Sequence, residues 1–294
     1  MHGRVRIGIS GWRYKGWRSV FYPKGLAQRR ELEYASRQFD SIEINGTFYS
    51  LQRPEYFRDW AAQTPDDFVF ALKGGRFITH MLKLRGVEGA LANYFASGPL
   101  ALGAKMGPIL WQFPPQLRWD RERFESFFAL LPRTTGDAAA LARGCSEKVF
   151  AHSFLEATVD LPIRHCVEIR HESFAVPEFI EVLRCHRIGL VVADTVEWPL
   201  LMDVTADFVY CRLHGSEELY ASGYEDVALD LWASRVHAWA AGRTPADRQG
   251  NARYASGECA EVHPRDVFVY FDNDAKVRAP FDALGLQQRV HTAR

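Results

Sequence analysis

HCVEIRHESFAVPEFIEVLRCHRIGLVVAD, residues 165–194, reads as a strand, a helix and a second strand. Its two ends, 165–171 and 188–194, are short runs that carry β-branched Val and Ile, the second of them almost wholly apolar. Between them Pro177 stands at the start of a helical turn, and Phe179, Ile180 and Leu183 recur at helical spacing through 177–187. Two strands joined by a helix are expected to pair in parallel, because the crossover brings the chain back to the same edge of the sheet.

Working outward, the same alternation fills the chain. Strand-like runs lie at 5–10, 41–47, 68–74, 108–113, 165–171, 188–194, 208–214 and 267–272. Helical periodicity appears at 26–39 (Leu26, Leu32, Ala35, Phe39), at 120–131 behind an N-capping Asp120, and at 226–240 (Val227, Leu231, Val236, Trp239). Eight such units close naturally into a (β/α)8 barrel of the TIM type, for which about 250 residues is typical. The surplus length is assigned to two polar or irregular stretches, 132–163 and 242–266. No Gly-, Ser- or Pro-rich linker divides the chain, so one domain over 1–294 is expected. A doubly wound open sheet is the alternative, but the turn after the first strand, SGWRYKGW (10–17), lacks the GxGxxG spacing of such folds.

Composition removes other classes. The 294 residues are 47% hydrophobic and 13% aromatic, too apolar for a disordered chain. Lys and Arg number 36, as do Asp and Glu, so no overall field draws in nucleic acid or an anionic membrane. No apolar run approaches the ~18 residues of a membrane span, and the start MHGRVRIGIS lacks a signal-peptide pattern. The five cysteines (145, 166, 185, 211, 259) are odd in number and scattered, which suits reduced thiols in a cytoplasmic protein.

The functional signal lies at the strand ends. Glu43-Ile44-Asn45, Glu168-Ile169-Arg170 and Arg212-Leu213-His214 each flank one aliphatic residue with two polar ones. Strand alternation sends the aliphatic outward to the helices and both polar groups toward the barrel axis. Lys73, Gln112, Asp194, Asp272 and Asn273 are expected to join them, giving four carboxylates against three fixed cations. The earlier parts of these strands are apolar. Polarity confined to the C-terminal rim is what a barrel enzyme requires, whereas a purely structural layer costs less when apolar. Aromatic residues follow the same ends: Trp12, Tyr14, Trp17, Phe48, Tyr49, Trp198, Tyr220 and Tyr224. Their faces suit sugars, nucleobases or other polyhydroxylated ligands, unless they cap the barrel by packing on one another.

Taken in order, SGWRYKGWRSVFYP (10–23), FDSIEINGTFYSLQRPE (39–55), KGGRFITH (73–80), LWQFPPQLRWD (110–120), VEIRHESF (167–174), YCRLHG (210–215) and VYFDND (269–274) resemble the YecE-like family, domain-of-unknown-function family 72. The resemblance runs from about residue 5 to about residue 285 and implies a TIM-type barrel. It implies no activity, because the family is named for lacking one. The chain departs from it in the polar 242–266 insertion and in AKVRAPFDA (275–283).

Three functions are weighed. The first is metal-free acid–base chemistry on a small polar substrate, anionic or carbohydrate-like. Glu43, Lys73, Glu168, His214 and Asp272 are the catalytic candidates; Trp12, Asn45, Tyr49, Gln112, Arg170, Asp194, Arg212, Tyr224 and Asn273 bind substrate. Arg170 and Arg212 would clamp an anion, His214 would shuttle protons, and Lys73 is expected to pair with Glu43 or Glu168 in preference to covalent chemistry. The reaction, whether hydrolysis, isomerisation or lyase chemistry, is undetermined and no cofactor is expected. The second is a divalent-metal enzyme, an isomerase or endonuclease-like phosphoesterase, with Glu168, Asp194, His214 and Asp272 as ligands and His80 and His171 in reserve. The third is a protein that binds nucleic acid or another ligand without turnover, through Arg18, Arg76, Arg85 or Arg118. The common arrangement for glycoside hydrolysis fits poorly, because its carboxylate positions after strands four and seven hold Gln112 and His214, which leaves a Glu43–Glu168 or Glu168–Asp272 pair as the open alternative.

Overall fold

The computed structural model describes residues 2–215, 223–245, 252–256, 263–273 and 277–292. Eight strands form a closed barrel in chain order: β1 (Val5–Ser10), β2 (Ser41–Ile44), β3 (Val69–Lys73), β4 (Met106–Gln112), β5 (His165–Glu168), β6 (Gly189–Asp194), β7 (Phe208–Leu213) and β8 (Asp266–Phe271). All neighbours are parallel, and β1 pairs with β8 from Val5↔Val267 to Ile9↔Phe271, so the open doubly wound sheet is excluded. The helices are α1 (Glu31–Gln38), α2 (Gly46–Tyr49), α3 (Pro54–Gln63), α4 (Glu88–Ala96), α5 (Arg121–Leu130), α6 (Thr135–Ala142), α7 (Glu147–Phe150), α8 (Pro177–Cys185), α9 (Asp226–Ala240) and α10 (Ala279–Thr292). None of those described is long and apolar enough to cross a membrane.

Local chemistry sets the helix starts. Asp120 caps α5 by accepting from the Arg123 backbone N–H at 3.2 Å, and Pro177 opens α8, where its missing N–H has no helical partner to lose. The 132–163 stretch, expected to be irregular, carries α6 and α7; a reciprocal Thr134–Asp137 capping box starts α6. Of 242–266, only 242–245, 252–256 and 263–266 are described.

Side-chain alternation divides the apolar residues into two shells. Inside the barrel lie Ala71, Leu110, Cys166, Val191, Ala193, Phe208, Tyr210, Phe268 and Tyr270. Ile44, Ile169 and Leu213 belong to the larger outer shell between strands and helices, as the strand-end alternation requires. Cys166 is thus interior and Cys211 exterior, both buried free thiols. Gly8 allows β1 to sit close to β2: a Cβ there would lie 1.9 Å from the Ser41 carbonyl oxygen.

Candidate functional site

The residues that end β2, β5 and β7 meet at Arg212, whose side chain has 0% exposure. Its Nε and Nη2 donate to the two Glu43 oxygens at 3.1 and 3.0 Å, a bidentate fork. Nη1 donates to Glu168 Oε2 at 2.6 Å, and Nη2 also reaches Asp272 Oδ2 at 2.7 Å from the end of β8. The planar guanidinium thereby ties three carboxylates from three strands into one layer. Ser10 donates to Glu43 Oε1, and the Tyr210 hydroxyl donates to Oε2 at 2.6 Å. Glu168 Oε1 accepts from Gln112 at 2.8 Å and from the Arg170 Nε at 2.8 Å. Asn45 Nδ2 donates to Ser10 Oγ at 3.0 Å.

His214 is fully buried beside this layer. Its Nδ1 lies 3.3 Å from Asp272 Oδ2 and its Nε2 lies 3.8 Å from Glu168 Oε2. Trp198 packs edge-on to the His214 ring at 5.8 Å between centroids, and the Arg170 guanidinium stacks 4.1 Å from the Trp198 ring. Solvent reaches the layer mainly through Arg170 and Asp272, with side-chain exposures of 13% and 14%.

The charges hold each other in place. Burial pushes Glu168 toward its neutral form, but Arg212 and then Arg170 outweigh it and keep the carboxyl well below its ordinary range. Burial likewise opposes ionisation of Asp272, and Arg212 with His214 holds its carboxyl far below that range. Arg212 stays charged because Glu43, Asp272 and Glu168 together overcome its desolvation. Tyr210 is pushed up by burial and by Glu43, so it remains a neutral donor.

Lys73, at the end of β3, differs from the rest. Its ammonium lies 4.6 Å from the centre of the Phe48 ring, and none of the described residues forms an ion pair with it. The expected pairing with Glu43 or Glu168 is not made. Burial, and then Arg212, lower its pKa from the ordinary 10.5 to about 8. A π-helical turn, Phe77–Met81, follows β3 and places His80 against Phe48 at 5.1 Å. Burial, then Arg170, drives the His80 pKa down to about 4, so the imidazole is neutral near pH 7.

The barrel mouth therefore gathers Glu43, Asn45, Lys73, Gln112, Glu168, Arg170, Arg212, His214 and Asp272. Four residues expected there lie elsewhere. Asp194 takes the outward parity, since its neighbour Ala193 faces inward, and it accepts from Trp232 Nε1 of α9 at 3.2 Å. Asn273 likewise faces α10 and donates to Asp282 at 2.7 Å. Trp12 packs edge-on against Trp60 of α3 at 5.4 Å. Tyr224 is buried against Phe271, its hydroxyl accepting from the Gly215 N–H at 3.2 Å. Tyr49 stands at the rim with 68% exposure, and Tyr220 lies outside the described residues. Among the described residues the inward charges at the mouth are thus three carboxylates and three cations.

The alternative ligand set, Glu168, Asp194, His214 and Asp272, does not converge. Asp194 points away, and the oxygens of Glu168 are engaged by Arg212, Arg170 and Gln112. No group of three or more His, Cys, Asp or Glu among the described residues is placed to hold a metal ion. Ser10 and Tyr210 complete the site without having been chosen from the sequence, although alternation on β1 and β7 marks both, and Trp198, expected among the rim aromatics, lies against Arg170 and His214.

The profile of the family described as "Protein of unknown function DUF72" matches residues 6–294. The chain is similar to the UPF0759 protein YecE of Escherichia coli strain K12, 28% identical over 144 residues that cover 42% of this chain and 50% of that protein. It is 24% identical to the UPF0759 protein YunF of Bacillus subtilis over 166 residues, 53% of this chain and 55% of that one. The chain spans about half the length of these curated relatives. Among solved structures, a DUF72 family protein from Thermotoga maritima is similar with a TM-score of 0.71 at 22% identity, covering 98% of this chain and 99% of its own. Another, from Enterococcus faecalis, gives 0.66 at 16% identity over 98% and 95%. At these identities the structural likeness establishes the barrel alone.

Proposed function

Because this chain belongs to the DUF72 family, whose description assigns no activity, we propose its function from the barrel mouth: metal-free acid–base chemistry on a small polar anion, including acidic sugars. One observation carries the reading. A desolvated lysine with a pKa of about 8 stands without an ion-pair partner among the described residues, beside a layer whose other charges are fully paired. Such a group holds or releases a proton near neutrality, and a buried ammonium gains most from an anion that arrives with the ligand.

In this reading Arg170 anchors the anionic group, the Lys73 amine faces the proton it removes, and Asn45 with Asp272 orients the remaining polar atoms. Neutral Lys73 removes a proton from substrate, and the ammonium it becomes is stabilised by Glu43, Asp272 and Glu168 through space. His214 and Arg212, fully buried, position Asp272 and Glu168 instead of touching the ligand. The exposed rim side chains Tyr49, Phe77 and Met81 give an apolar body a surface to rest on. A cytoplasmic location with reduced thiols belongs to the same proposal.

The test is a thermal-shift and NMR screen of phosphorylated and carboxylated metabolites and sugar acids, on wild type, Lys73→Met and Arg170→Ala. A ligand that raises Tm of the wild type only, and is converted with kcat/KM rising through pH about 8, is the expected result. A ligand that binds at the mouth but is returned unchanged would make this a binding protein. A ligand set that shifts Lys73→Met as much as wild type would remove the reading.

A further inference from the structure

At the opposite end of the barrel, among the segments that precede the strands, lies an open cavity of about 980 Å³. Its floor and walls include Val69, Met106, Pro108, Ile163 and Phe268, so much of its lining is apolar. Five arginines also line it, against two aspartates, Asp207 and Asp266. Two arginines are neutralised: Arg164 bridges Asp266 at 2.7 Å and Asp207 at 3.1 Å, and Arg4 reaches Asp67 at 3.0 Å.

The other three have no carboxylate within ion-pair distance among the described residues, although Asp40 and Asp67 act on Arg6 through space. Arg6, inside the barrel on β1, spends its Nη1 on two carbonyl oxygens, those of Asp40 and Asp67, each at 3.0 Å. The Arg133 guanidinium, between α5 and α6, donates only to the Phe128 carbonyl at 3.2 Å, its backbone N–H going to Asp137. The Arg187 side chain, between α8 and β6, has no hydrogen bond or ion pair among the described residues, while its backbone N–H donates to the Arg184 carbonyl at 3.0 Å. No carboxylate of the described residues pairs with any of these guanidiniums. Arg133 and Arg187 instead face each other closely enough that Arg187 adds to the burial that lowers the charge affinity of Arg133, and His186 is disfavoured as a cation by burial and by Arg133.

The backbone adds an independent observation. Arg187 follows the α8 cap at φ +51°, in the left-handed region that suits glycine at a helix end. An L-residue there costs about 1 kcal/mol. An arginine without an ion pair among the described residues therefore occupies a position where glycine would fit better, beside Arg133 and in the same cavity as Arg6.

We infer that this end of the barrel is a second binding site, taking a phosphorylated small molecule of nucleotide size, with Arg133 and Arg187 on its phosphates and the apolar wall against its organic part. Phosphate matches the planar donor forks of paired arginines, and the cavity volume lies in the range that holds such ligands. Because it sits opposite the mouth, the site binds without taking part in the chemistry proposed there.

Isothermal titration at low ionic strength with inorganic pyrophosphate and with ADP tests this. Wild type is expected to bind both, ADP more tightly through the apolar wall, with affinity falling as salt is added. Arg187→Gly is the informative variant: it relieves the left-handed backbone, so its Tm is expected to hold or rise, while affinity falls about tenfold or more. Arg133→Ala is expected to lose a similar factor, and Lys73→Met none. Absence of binding by wild type, unchanged affinity in Arg187→Gly and Arg133→Ala, or loss in Lys73→Met alone would each overturn the inference. A single-stranded RNA that displaces pyrophosphate at equal phosphate concentration would overturn the small-molecule assignment.

Discussion

Arg212 compensates three buried carboxylates at once, so removing it leaves Glu43 with no cation in contact and Glu168 with Arg170 alone. Arg212→Met is expected to cost about 3–5 kcal/mol in a urea unfolding series at pH 7, and less at pH 5, where the orphaned carboxyls take up protons. An equal cost at both values would mean that Glu43, Glu168 and Asp272 find other partners. Lys73 behaves oppositely. Its pKa falls from 10.5 to about 8 on folding, so between those values the unfolded chain binds more protons and stability rises with pH. Below pH 8 both states hold the proton and the burden of the buried charge is constant. At about 1.4 kcal/mol per tenfold step, Lys73→Met is expected to stabilise the protein by roughly 2–3 kcal/mol at pH 7, with the gain shrinking toward pH 10.5. A destabilised Lys73→Met would mean that the Phe48 contact outweighs desolvation. Both residues were legible from position alone, at strand ends after apolar runs. The missing ion pair of Lys73 was not, because counting charges on a rim says nothing of which ones touch: Arg212 takes all three carboxylates first.

Strand alternation decides which neighbours see the axis, and it worked wherever a strand carried its own contrast. Glu43-Ile44-Asn45 and Arg212-Leu213-His214 have an aliphatic residue between polar ones, and Ile44 and Leu213 do pack outward. GLVVAD offers no such contrast, so Asp194 could be placed only through its partners: Ala193 pairs with Arg212 and Asp194 with Leu213, which fixes Asp194 outside. Asn273 erred by the same single step after Asp272. Trp12 and Tyr224 were misplaced for another reason, since residues beyond a strand follow the loop, and here the loop carries them over α3 and Phe271. Close strand approach makes its own demand at Gly8. With a new Cβ 1.9 Å from the Ser41 carbonyl, Gly8→Ala must push β1 from β2, where Glu43 and Ser10 meet. A loss of about 3 kcal/mol or more is expected by urea unfolding; a loss within about 0.5 kcal/mol would show that the barrel relaxes locally without strain.

Over the whole molecule, the two ends of the barrel handle charge differently. The C-terminal layer balances three carboxylates with three cations inside the wall, whereas the N-terminal cavity keeps three arginines without a carboxylate partner among the described residues. Most remaining ion pairs are exposed on the helices, such as Arg121 with Glu125 and Arg30 with Glu33, and contribute little. Acid sensitivity should therefore come mainly from the interior. Glu168 and Asp272 have folded pKa values below those of the unfolded chain, 4.5 and 3.8. Their contribution is fully present above that ordinary range and is lost as pH falls through and below it, because the unfolded chain then binds the protons the folded layer refuses. Urea midpoints measured from pH 7 to pH 3 should fall steeply below about pH 4.5. Glu168→Gln starts lower at pH 7 but cannot lose what it no longer has, so its curve should be shallower and approach that of wild type near the acid limit. Parallel curves would assign acid unfolding to the surface pairs and leave the buried layer, though assembled from four strand ends, without the electrostatic weight its geometry gives it.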